Sequence, residues 1–83
     1  MNVRIISAED LEEAFKNTNF GNVDHRKLLE ASVLKKAMGL HCGHTITRIM
    51  QDLGLISSVD GRVLKKGQIL LYEAFRNLVK NGG

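Results

Sequence analysis

Histidine and cysteine are the side chains most able to hold a metal or act as a nucleophile, and most of them sit together here. His41, Cys42 and His44 fall within "HCGH", while His25 stands apart. Zinc sites need a second pair at C-x₂₋₄-C or H-x₃₋₅-H spacing to complete a tetrahedron, and the chain has none. A thiol nucleophile needs a base and an orienting acid beside it, and no recognisable pattern supplies them. Cys42 reads instead as a small apolar residue in a turn. The expectation is therefore no metal, no cofactor and no catalytic residue, hence not an enzyme.

A second set of side chains is arranged for contact. In "GHTITRIMQDLGLI", residues 43–56, Ile46, Ile49, Met50 and Leu53 recur at helical spacing and define a buried face. The opposite face carries His44, Thr45, Thr47, Arg48 and Gln51. Net charge is +3, yet residues 1–13 hold four acids and one base, so the remainder carries 11 bases against 5 acids. A basic surplus concentrated with this segment suits a polyanionic partner, while a merely solvated surface accounts for the charge equally well.

Eighty-three residues with 43% hydrophobic content and no proline describe a single self-folding domain over residues 1–83, helix-rich and without room for a deep cleft. The lone cysteine excludes an intramolecular disulfide, and no apolar run is long enough to span a bilayer. The N-terminus turns acidic where a signal peptide would be apolar, so a cytoplasmic setting is expected.

The elements that position these residues follow from capping signals. Ser7 stands as N-cap with Asp10 three residues on, and Ile6 and Leu11 have the spacing of a hydrophobic staple, giving a helix over 8–16. "NTNFGN" is a loop. Asp24 repeats the start signal, with Val23 and Leu28 as a second staple, and a broad stripe of Leu28, Leu29, Ala31, Val33, Leu34, Ala37 and Met38 gives a helix over 25–38, bent or split near Ser32 and stopped by Gly39. The short "GLHCG" leads into a third helix over 44–53, which Thr45 is placed to cap. "LISSVDGRVL" reads as a hairpin over 55–64 around a type I′ Asp60-Gly61 turn. A last helix over 66–80 has apolar residues around half its circumference, wider than one core requires. Leu71, Phe75, Leu78 and Val79 are therefore expected at a homodimer interface.

The fold class expected is mainly α with a small β-hairpin, in the order helix, helix, turn, helix, hairpin, helix. "LKKAMGLHCGHTITRIMQDLGLI" and "GRVLKKGQILLYEAF" together resemble the helix-turn-helix, second wing strand and following helix of winged helix-turn-helix transcriptional regulators, over residues 31–75. The chain departs from that pattern at Lys65, where the family places a Thr or Ser cap, at Lys35, where a small residue is usual, and in the length of the "LHCGH" turn.

The resemblance implies a sequence-specific double-stranded-DNA-binding regulator acting by operator occupancy. Its third helix would lie in the major groove and the wing, residues 57–66, along the backbone. Arg48 suits guanine and Gln51 adenine; Thr45 and Thr47 suit phosphate or a thymine methyl; His44 lies where the helix N-terminus favours an anion; Arg62, Lys65 and Lys66 suit phosphates. The small size suits an accessory regulator of a mobile element. The alternative is a protein-protein interaction module on the same scaffold, favoured by Asp52 on the third helix and Asp60 at the wing tip.

Overall fold

The computed structural model describes residues 5–21 and 23–82, with the side chains of residues 80–82 left aside. Four helices account for its regular structure: α1 (Ala8–Phe15), α2 (His25–Ala37), α3 (His44–Asp52) and α4 (Lys65–Gly82). Each start has a local cause. At α1 the Ser7 hydroxyl accepts from the Asp10 amide at 3.1 Å and the Asp10 carboxylate accepts from the Ser7 amide at 3.4 Å, a reciprocal capping box. Ile6 and Leu11, the staple pair, are both buried. At α2 the Asp24 carboxylate accepts from the Lys27 amide at 3.2 Å. Its staple is one-sided, since Leu28 is half-buried while Val23 stays exposed.

Helices α2 and α3 stop the same way. Gly39 and Gly54 adopt φ of 78° and 74°, conformations that glycine enters without a Cβ penalty. The next amide then folds back to the carbonyl five residues earlier, Leu40 to Lys35 and Leu55 to Met50, at 2.8 and 2.9 Å. Helix α2 is continuous rather than split near Ser32: the Ser32 hydroxyl donates to the Leu28 carbonyl at 2.8 Å, which satisfies it within the helix.

The core joins all four helices. Ile6, Leu29, Val33, Met50, Leu55, Ile56 and Leu70 are essentially inaccessible, with Leu11, Phe15, Cys42, Ile46 and Ile49 closing around them. The stripe expected on α2 is divided. Leu29 and Val33 face the core with Ser32, whereas Ala31, Leu34, Ala37 and Met38 are exposed. Phe15 makes an edge contact with Phe20 and stacks flat on His25, ring centroids 4.3 Å apart.

The β-hairpin expected over 55–64 is not formed, and the fold is all-helical among the described residues. A lone antiparallel bridge joins Ile56 and Val63, closed by two backbone bonds, Ser57 to Arg62 and Leu64 to Leu55, each 2.8 Å. The cause is the width of the turn. The Gly61 amide donates to the Ser57 carbonyl at 3.0 Å, so residues 57–62 form the turn and only two residues of the segment remain on each side as arms. An isolated two-stranded pairing is at best marginal. Nor is the turn type I′, because only Gly61 has positive φ, at 74°; Asp60 does not. The winged architecture is therefore corrected to four helices with a tight connecting loop.

Helices α2 and α4 pack against each other. The Lys36 side chain near the end of α2 approaches Gly61, just before α4, while the Glu73 carboxylate in the middle of α4 accepts from the Ile5 amide at 3.1 Å. The Ile6 carbonyl in turn accepts from Arg26 at the start of α2, at 2.7 Å. The two helices thus run in opposite directions, and the end of α4 projects past the start of α2.

Candidate nucleic-acid interface

The turn between α2 and α3 separates the residues of "HCGH". Cys42 is buried and its thiol donates to the Ser32 carbonyl at 3.4 Å, fastening the turn to the middle of α2. His41 and His44 point into solvent, and His25 is stacked on Phe15 at the other end of α2. Among the described residues no three His, Cys, Asp or Glu side chains converge on a point where a metal would sit.

Helix α3 buries Ile46, Ile49 and Met50, with Leu53 half-buried against the same core. Its N-cap is Gly43, which has no side chain to offer, so the first amides of the helix carry no side-chain cap. Thr45 is therefore not the cap. It stands exposed beside His44 and Arg48, and among the described residues no hydrogen bond or ion pair engages Arg48. Thr47 is different: half-buried, its hydroxyl donates to the Cys42 carbonyl at 3.5 Å and is drawn back toward the turn. Gln51 is half-buried and Asp52 exposed near the far end. The free polar face is thus His44, Thr45 and Arg48, with Gln51 at its edge.

The loop between α3 and α4 holds its shape by local bonds. The Ser57 hydroxyl accepts from the Val59 amide at 3.1 Å, and Asp60 accepts from the Arg62 amide at 3.0 Å and from its guanidinium at 3.3 Å. The Arg62 amide chiefly pulls the Asp60 carboxyl below its ordinary range, against desolvation, with the Arg62 side chain and Ser57 adding smaller pulls in the same direction. Arg62 remains 80% exposed, so the Asp60 pair is a surface contact that a phosphate can compete with.

Lysines bracket this loop. Lys65 is the first residue of α4 rather than its cap; the preceding Leu64 carbonyl accepts the first helical bond, from Gln68. Lys66 lays its stem along the end of α3, its Cδ 4.0 Å from where a Gly54 Cβ would lie. Lys36, which the sequence reading passed over, brings its ammonium within 3.4 Å of the corresponding position at Gly61. The signal for it was present in "LKKAMG", since lysines in the last turn of a helix suit the negative end of its dipole.

A close approach locks α4 to the loop. At Gly67 a Cβ would overlap the Leu55 carbonyl oxygen and lie 2.8 Å from Val63, so this buried position admits no side chain without movement. Leu70 is fully buried below it. Leu71 also packs on the core rather than on a free face. Beyond it the character of α4 changes: Tyr72, Phe75, Leu78 and Val79 are 61, 62, 71 and 53% exposed, with the Arg76 guanidinium 5.8 Å from the Tyr72 ring centre.

Comparison with known proteins gives no match to a protein-family model, a curated protein or a solved structure. Among the described residues no helix is long and apolar enough to cross a membrane.

Proposed function

We propose that the chain is a small double-stranded-DNA-binding regulator that acts by occupying a site, with α2, the "GLHCG" turn and α3 as its reading unit. One observation carries this: the outward face of α3 presents Thr45, Arg48 and His44 at a helix N-terminus that no side chain caps. Such an end offers free amides and a partial positive charge to a phosphate. Arg48 reaches outward to a guanine edge and Gln51, at the margin, to adenine. Lys36, Arg62, Lys65 and Lys66, on or near the adjoining loop, supply backbone contacts. Thr47, tied to the turn, positions α3 instead of touching DNA. Two copies associate through the exposed end of α4, with Phe75, Leu78 and Val79, joined by Tyr72 in place of Leu71.

Mutation separates the roles. Arg48→Ala should erase preference among duplex sequences, a loss of about 1–3 kcal/mol at the preferred site. Lys66→Ala should weaken every sequence by a similar factor and flatten the salt dependence. Equal weakening of all sequences by Arg48→Ala would remove α3 from the bases.

A protein partner is the second reading, and a specific feature favours it. Leu34, Met38 and Leu40 are at least half exposed around the end of α2, an apolar group that DNA phosphates would not cover. Pull-down of one protein that survives nuclease treatment, without duplex binding, would select it.

A further inference from the structure

The geometry points to a specific receiving surface for the end of α4: the hollow lined by α1 and the start of α2 on a second copy of this chain. This inference rests on the reading that α4 joins two copies, and adds where each helix docks.

Area shows why α4 needs a receptor other than itself. Counting about 150–250 Å² for a large side chain, the exposed parts of Tyr72, Phe75, Leu78 and Val79 amount to roughly 400–500 Å², short of the ~800 Å² per partner of a stable interface. Pairing two α4 ends face to face would also bring Arg76 near its own copy. A surface of opposite charge on the partner is therefore the better receptor.

The hollow supplies the charge. It is lined by Glu9, Glu12, Glu13, Phe15, Lys16 and His25, with the stacked Phe15 and His25 rings beneath an acidic rim. Glu9, Glu12 and Glu13 are exposed, and among the described residues none has a cationic partner. Arg76 is likewise exposed without an acid. A helix end bearing a cation and a hollow rimmed by carboxylates are complementary in charge.

Both surfaces lie at the same end of the molecule. Glu73 of α4 holds Ile5, and Arg26, next to His25, holds Ile6. The residues of α4 after Glu73 extend about 13 Å further at 1.5 Å per residue, clear of the core. A two-fold axis can then place each α4 end in the other copy's hollow, making every contact twice and leaving α3 free on both copies.

Charge exchange tests this in sedimentation equilibrium at low salt, with helicity checked by circular dichroism. The natural protein should dimerise. Glu12→Lys/Glu13→Lys and Arg76→Glu should each weaken the dimer about tenfold or more, and their equimolar mixture should regain affinity through the mixed dimer, in which both contacts are matched in charge. A monomeric natural protein would overturn both the dimer and its docking site. A natural dimer that Glu12→Lys/Glu13→Lys leaves intact would overturn the docking site alone. So would a mixture that regains nothing.

Discussion

Helices α2 and α3 end in the same chemistry, Gly-Leu with the glycine left-handed, and the two leucines go to opposite places. Leu55 is fully buried, while Leu40 is 50% exposed. The backbone bonds are nearly identical, so local sequence stops the helix but does not choose the destination of the chain that follows. What chooses is the element next door. After Leu55 the chain turns and α4 closes over it, with Gly67 admitting the Leu55 carbonyl. After Leu40 only two residues precede the α3 cap, and Cys42 takes the core position.

That contrast can be broken, most severely at the leucine itself. Leu55→Ala should cost about 3–4 kcal/mol in urea unfolding, by lost burial plus cavity, and Leu40→Ala under about 1 kcal/mol. Comparable losses would mean the two ends are equivalent after all. Next comes Gly67→Ala, whose methyl group has nowhere to go beneath the loop; a loss of about 2–3 kcal/mol is expected, against a gain if this were an ordinary helix interior.

The shared half of the comparison is sharpened by the glycines. Gly39→Ala and Gly54→Ala should each cost about 1–2 kcal/mol, nearly equal despite the different surroundings, because the penalty belongs to the left-handed backbone. The smallest effect is in the loop after α3. Asp60 has a folded pKa below its unfolded value, so its contribution is present above the unfolded value and is lost as pH falls through the lowered one. Hydrogen exchange at the Arg62 amide, compared between the natural protein and Asp60→Asn, should converge as acid neutralises the carboxylate.

The same comparison explains what could be read in the sequence. Helix starts and stops are short-range events, and Ser7, Asp10, Asp24, Gly39 and Gly54 announced them in their own neighbourhoods. The left-handed residues Asn17 and Gly21 fall within the loop expected at "NTNFGN". Strand pairing is not short-range. Asp60-Gly61 signals a turn, and a turn is there, but it spans Ser57 to Arg62 and leaves too little of the segment for arms. Burial on α2 is also set at a distance: Leu34 and Met38 repeat at helical spacing, yet neighbouring helices cover only the side holding Leu29 and Val33. At the candidate site, the outward face of α3 was legible from its period. The withdrawal of Thr47 to the Cys42 carbonyl and the approach of Lys36 to Gly61 were not, because both depend on how the chain folds back.

Duplex binding is the most direct test of the function. Fluorescence anisotropy of the natural protein with random-sequence duplex, titrated from about 50 to 200 mM salt, should show binding whose log K falls linearly with log salt, with a slope set by the phosphates contacted. Arg48→Ala should leave that slope nearly unchanged. No binding at about 50 mM salt, or binding indifferent to salt, would contradict a DNA-reading role for α3 and its lysine-flanked loop.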